Sequence, residues 1–269
     1  MSDSSLALAR LRRRLERLEL RRAVAPADLF ALGHDPIDQA LGGGLAKGRL
    51  HEIFATEGEA GGGSGFLAML GQRAGMRAGA GKPLLWLRSE AAQKRAGLLH
   101  ASGLLELGLD PAALLLGLVP DEPALLRAAG DASRCAGLGA LLVECWGPMR
   151  GLDLTASRRL LLAAEASGVT VLVLRVEAEP CPSAADTRWR VAAAPSRLLE
   201  ADAPGAPMLD LELLRRRAGP PAGPWRVEWN RDRQCFQEPD PIAESPLSRP
   251  VLPVATGRAP AAQPLRRAV

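Results

Sequence analysis

The sequence predicts an α/β fold, a mostly parallel central sheet flanked by helices, with antiparallel strands along its C-terminal edge. Three observations predict it. Between residues 50 and 176, short apolar runs recur without polar alternation, as in strands covered on both faces. Stretches of helical periodicity separate these runs, which is the pattern of repeated β-α-β units. Beyond residue 187 the apolar runs continue with only Pro/Gly turns between them, so the last strands should pair antiparallel.

Residues 6–24 read as one helix, because Leu8, Leu11, Leu15 and Leu18 are spaced three, four and three and so share a face. Arg10, Arg14, Arg17 and Arg21 fall on the opposite face, and Pro26 ends the helix. The leucine stripe needs something to pack on, either its own domain or a neighbouring subunit or partner. The arginine face is a candidate DNA contact. Leu50, Ile53 and Phe54 mark a short strand, followed by the glycine-rich stretch 58–65 and a helix over 66–80. Strands are then expected at 83–87, 113–119, 140–145 and 169–176, with helices at 91–102, 123–135 and 154–167. The edge strands are 188–193, 209–215 and 225–229. Residues 238–269 hold seven prolines and lose all periodicity, which predicts a disordered tail. Within it, Val251-Leu252-Pro253-Val254 is a candidate docking motif. The expected organisation is thus an N-terminal helix (1–27), a core domain (28–237) and a tail (238–269).

The 269 residues are 47% hydrophobic and 24% charged. That composition is globular and suffices for one large core or two modest ones. Apolar runs such as 112–116 and 160–164 fall far short of the roughly 20 residues a membrane-spanning helix needs. The first thirty residues carry seven arginines and no long apolar block, which predicts no secretory signal. Cys135, Cys145, Cys181 and Cys235 are far apart with no C-x-x-C, and His34, His51 and His100 are equally scattered. This argues against a disulfide framework or a zinc site, and for a reducing, cytoplasmic setting. Net charge is +4, yet only three of the 34 basic residues are lysine, and tyrosine is absent. Such an arginine bias is what a GC-rich genome tends to encode, so charge points only weakly to nucleic acid. Aromatics, at 3%, offer no ladder for stacking single-stranded bases.

A strand, a glycine-rich loop and a helix in that order can cradle phosphates, through backbone N–H groups and the helix N-terminus. The working motif is G-x-x-x-x-G-K-[ST], whose lysine reaches the terminal phosphates and whose hydroxyl holds magnesium. Gly58 and Gly63 have the required separation, with Gly61 and Gly62 between them. Ser64 and Gly65 stand where Lys and Ser/Thr belong, and no lysine lies between Lys47 and Lys82. Losing that lysine removes a strong charge-assisted contact and the stabilisation of a transferring phosphoryl group. Two readings follow: weak affinity for ATP and magnesium through the amides, or a relic that merely joins strand to helix. Neither predicts ATP hydrolysis. Glu144 ends an apolar strand where phosphate-loop proteins keep a magnesium-holding acid, and Glu90 follows the strand at 83–87, where a water-activating carboxylate could sit. Without the lysine, both read better as solvated acids at strand ends. No Ser/His/Asp or Cys/His constellation is readable.

Residues 33–54 resemble the start of a RecA-type core, in the match of Ile37-Asp38, Leu41, Gly42-Gly43-Gly44-Leu45, Gly48-Arg49-Leu50 and Glu52-Ile53-Phe54. The short chain and the missing lysine depart from RecA. The blocks Leu85-Trp86-Leu87-Arg88, Thr187-Arg188-Trp189-Arg190-Val191-Ala192, Leu213-Leu214-Arg215-Arg216-Arg217-Ala218-Gly219 and Trp225-Arg226-Val227-Glu228-Trp229 resemble the ImuA family. These are RecA-like accessory proteins of bacterial SOS mutagenesis, sometimes labelled SulA-like. The resemblance implies a RecA-like core with a degenerate phosphate loop and a non-catalytic adaptor role in damage-induced, error-prone translesion synthesis. The partners it implies are ImuB, an inactive relative of lesion-bypass polymerases, an error-prone C-family DNA polymerase, and RecA. Two alternatives remain: a nucleotide-binding regulator of RecA filaments, and a SulA-like cell-division inhibitor.

Overall fold

The computed structural model describes residues 25, 28–78, 81–199, 203–217 and 219–239. The helix expected at 6–24, with its leucine and arginine faces, lies outside the described residues, as does 240–269. The elements in chain order are β1 (Leu29–Phe30), α1 (Asp35–Leu41), β2 (Leu45–Ala46), β3 (Leu50–Ala55), α2 (Ala60–Ala78), β4 (Leu84–Ser89), α3 (Glu90–Ala96), α4 (Ala101–Glu106), β5 (Leu114–Val119), α5 (Glu122–Ala132), β6 (Ala140–Trp146), α6 (Leu154–Ser167), β7 (Thr170–Val176), β8 (Thr187–Ala194), β9 (Met208–Arg216), β10 (Ala222–Asn230) and β11 (Cys235–Gln237).

Nine strands form one sheet in the order β11-β10-β9-β8-β3-β7-β6-β4-β5. From β8 to β5 every pairing is parallel, and β8 through β11 pair antiparallel. This is the predicted fold class. Helix α2 packs on one face, against β3, β6, β7 and β8, while α6 packs on the other, against β3 and β7, with α5 beside it. Side chains alternate between faces along each strand. The α2 face therefore receives Ile53, Trp86, Leu142, Leu174 and Trp189, and the α6 face receives Leu50, Leu87, Val143 and Val173. β3 and β7 are buried at every position, so their continuous apolar character follows from cover on both sides.

The block 33–54 is explained by local geometry. Asp38 accepts hydrogen bonds from the backbone N–H of Leu32 (2.7 Å) and Gly33 (2.8 Å), pinning the chain entering α1. Gly42 closes α1 in the left-handed conformation at φ 77°. Gly44, at φ 133°, lies so close to Phe30 that any Cβ would strike its carbonyl oxygen at 2.3 Å. Three of the later helices begin at side-chain caps: Ser89 on α3, Asp121 on α5 and Asp153 on α6.

Three local expectations are corrected. The helix placed at 66–80 begins at Ala60, so the glycine-rich stretch lies mostly within it. The single helix expected at 91–102 is two, α3 and α4, separated at Gly97, which takes φ 79°. Strands β1, β2 and β11 and helix α1 were not foreseen, being too short to show periodicity. β11 is nonetheless anchored. Phe236 is buried and packs on Trp229 (ring centroids 4.9 Å) and Phe66 (5.5 Å), tying the last strand to α2. The opposite edge differs: on β5, Leu115, Leu116 and Leu118 are about half exposed. No described helix is long and apolar enough to cross a membrane.

Candidate functional site

In a parallel α/β sheet, ligands bind beyond the carboxyl ends of the strands. Here that region joins the end of β3 to α2 and includes the ends of β4, β6, β7 and β8. The connection after β3 is short, with Thr56 followed by one 3₁₀ turn, Glu57–Glu59. Gly58, Gly61, Gly62, Gly63 and Ser64 therefore form no open loop, and none of these glycines has positive φ. Two of them are accounted for by packing. A Cβ at Gly63 would meet Ala55 and Leu174 at 3.0 Å, and one at Gly62 would meet the Ala193 backbone at 3.1 Å. They let α2 approach β3, β7 and β8 closely.

Carboxylates occupy the hydrogen-bonding positions around this turn. Glu57 donates its backbone N–H to Glu177 Oε1 at 2.6 Å. Glu177 follows β7 and adopts φ 55°, a left-handed conformation uncommon for a glutamate, which aims its side chain back at β3. Glu59 accepts the backbone N–H of Ala193 on β8 at 2.6 Å. The turn is thus tied to β7 on one side and β8 on the other, by acids where a phosphate-binding loop presents a lysine and free amides. A negatively charged phosphate brought to this turn would meet the carboxylates of Glu59 and Glu177.

Glu144 is fully buried rather than solvated. It lies opposite Arg88 in the β4–β6 register, and Arg88 Nη2 donates to Glu144 Oε1 at 3.0 Å. Trp146 Nε1–H donates to the same oxygen at 2.9 Å. Arg88 also donates to the Gly97 carbonyl, joining α3 to the pair, and the Arg95 guanidinium lies 5.9 Å from the Trp146 ring centroid. The other carboxylate oxygen of Glu144, Arg88 Nε and Trp86 Nε1 are buried without a partner among the described residues. Glu90 is the first residue of α3 and exposed, apart from this pair. The structure thus brings the glycines together with Glu177 and sets Glu144 against arginine. Among the described residues no three His, Cys, Asp or Glu side chains are arranged to hold a metal.

Sequence reasoning missed the buried polar groups of β3 and β8. His51 Nε2–H donates to the Ala46 carbonyl (2.8 Å), since a carbonyl can only accept, so Nδ1 accepts from the Thr187 hydroxyl (2.8 Å). Trp189 Nε1–H in turn donates to that hydroxyl oxygen (2.9 Å). Burial pushes the His51 pKa below its ordinary value. On the α6 face Glu52, fully buried, pairs with Arg188 at 3.0 Å and accepts from Ser183 at 2.8 Å. The available signal was a charged residue inside an otherwise apolar run, as at Glu52, Arg88, Glu144 and Arg175.

No protein-family model matches the chain. It is 34% identical over 220 residues to Protein ImuA of Caulobacter vibrioides, in strains NA1000 and ATCC 19089, covering 77% of this chain and 80% of that protein. Among solved structures it is similar to the RadB recombinase, with a TM-score of 0.54 at 16% identity, covering 79% of this chain and all of that one. That likeness establishes the RecA-like fold alone.

Proposed function

The chain belongs to the ImuA family, and on that premise we propose that it is a non-catalytic RecA-like adaptor in damage-induced, error-prone translesion synthesis. The observation that carries this reading is the carboxylate-tied turn between β3 and α2. Ser64 stands in place of the phosphate-binding lysine, and the carboxylates of Glu177 and Glu59 tie the turn to β7 and β8. Glu144, the acid expected to hold magnesium, is fully buried and accepts from both Arg88 and Trp146 through Oε1. ATP and magnesium do not fit these residues, and no step of the function runs through them. A fold buries its sheet for stability, so what is left to act is surface used for partners.

The partners the resemblance implies are an ImuB-type inactive polymerase homologue, an error-prone C-family polymerase and RecA. The stripe of Leu8, Leu11, Leu15 and Leu18 is the first docking candidate, and Arg10, Arg14, Arg17 and Arg21 the candidate DNA contact. The test is affinity purification of the tagged protein from DNA-damaged cells, paired with calorimetric titration of ATP and magnesium. Recovery of the polymerase homologue with no nucleotide affinity tighter than about millimolar supports the adaptor. Micromolar affinity overturns it in favour of a nucleotide-binding regulator of RecA filaments. Filamentous growth on overexpression, without those partners, favours the division inhibitor.

A further inference from the structure

A second region at the carboxyl ends of the strands lies on the α6 face, on the opposite side of the sheet from α2. The connections 147–153 and 177–186 enclose a cleft of about 500 Å³ walled by Met149, Leu152, Leu154, Ala178 and Pro182. Arg175, the penultimate residue of β7, lines it from below and is only 3% exposed. Its guanidinium donates to Cys181 Sγ at 3.2 Å and lies 5.6 Å from the Phe54 ring centroid. Its Nε has no hydrogen-bond partner, and no carboxylate among the described residues pairs with it. Of the nearby acids, Glu52 pairs with Arg188 through Oε2 while its Oε1 is buried without a hydrogen-bond partner, and Asp153 caps α6 by accepting the Ala156 N–H. Glu179 stands exposed at the rim.

A buried cation without a counter-ion is costly, and the usual remedy is an anion supplied from somewhere. The cleft gives that anion one buried cation, Arg175, beside largely apolar walls. Its charged lining residues, Arg150, Arg175, Asp153 and Glu179, cancel, and no aromatic side chain lines it for stacking a base. A polyphosphate strand is therefore a poor match. We propose that this cleft docks a peptide segment of a partner protein in which one carboxylate, flanked by apolar residues, reaches Arg175. The inference names a docking surface for the adaptor reading and rests on it.

The experiment uses the full chain, without any presumed partner, so its outcome is separate from the purification test above. A displayed library of random dodecapeptides is panned against the protein, and affinities of the enriched peptides are measured by fluorescence anisotropy. The expected peptides share an Asp or Glu between apolar residues and protect Cys181 from maleimide in a Cys135→Ser background. Arg175→Met should fold and weaken them at least tenfold. Leu154→Glu, which places a like charge at the exposed mouth, should do the same and remains informative if Arg175→Met fails to fold. Glu179→Gln should leave binding unchanged or tighter. The proposal is overturned if no peptide enriches, if the enriched peptides lack an acid, or if both Leu154→Glu and Arg175→Met leave affinity unchanged. It is also overturned if a dT20 oligonucleotide occupies the cleft in their place, or if Glu179→Gln abolishes binding.

Discussion

Glu144 shows why a single buried acid can mislead a reader of sequence. At the end of a strand it suggests metal chemistry, yet its oxygen is shared between Arg88 and Trp146. Removing one member of such a pair strands the other. Glu144→Ala should therefore destabilise the fold by about 3–5 kcal/mol in denaturant titration, while the double variant Arg88→Met/Glu144→Leu should be near neutral. A mild effect of Glu144→Ala would mean the pair is not desolvated. His51 makes a prediction about pH. Its folded pKa lies below the unfolded value of 6.5, so below that pH the unfolded chain binds more protons than the folded one. Stability is then complete above about pH 6.5 and falls as pH drops further, at up to about 1.4 kcal/mol per pH unit. Melting temperatures between pH 7.5 and 5.5 should show the decline, and a less stable His51→Asn variant should show a flatter profile. Among the thiols, burial pushes Cys145 up to about 12, so it should resist alkylation in the native state while exposed Cys135 reacts.

At the scale of elements, the β3–α2 connection is the place where pattern and geometry part. The spacing of Gly58 and Gly63 satisfies a phosphate-loop pattern, but α2 begins at Ala60, inside the pattern. Restoring the two missing residues with Ser64→Lys and Gly65→Thr should consequently yield no ATP hydrolysis above background in a phosphate-release assay. Hydrolysis by that variant would show the loop to be intact but for its lysine. The alternating strands and helices were legible because cover on both faces forces continuous apolar runs, as in β6 and β7. Short elements such as β1, β2 and β11 were not, because two or three residues carry no period and are held by distant partners such as Phe66. The leucine stripe at Leu8 to Leu18 adds a prediction of its own. Leu11→Asp with Leu15→Asp should abolish assembly, read as mass by light scattering with and without RecA, while circular dichroism of the core is retained. Loss of the core signal would mean the stripe packs on its own domain.

For the whole molecule, the RecA-like architecture was legible from the block Gly33 to Phe54, whose residues prove to be structural. Asp38 ties the backbone before α1, and Gly42 and Gly44 take conformations or approaches that a side chain resists. The candidate sites were less legible, because they depend on which strands become neighbours. Glu177 reaches Glu57 across 120 residues, and Glu59 reaches Ala193 across 134. No local pattern announces either contact, nor the lack of a carboxylate at Arg175. The same two contacts have a consequence for control. In nucleotide switches, a segment ordered by the γ-phosphate is released on hydrolysis, which sets how long a complex lasts. On the adaptor reading, a loop fastened by the protein's own acids sets no such interval, and complexes built on it should dissociate at one rate whether or not ATP is present. Their number in the cell would then be metered by how many copies are made and destroyed.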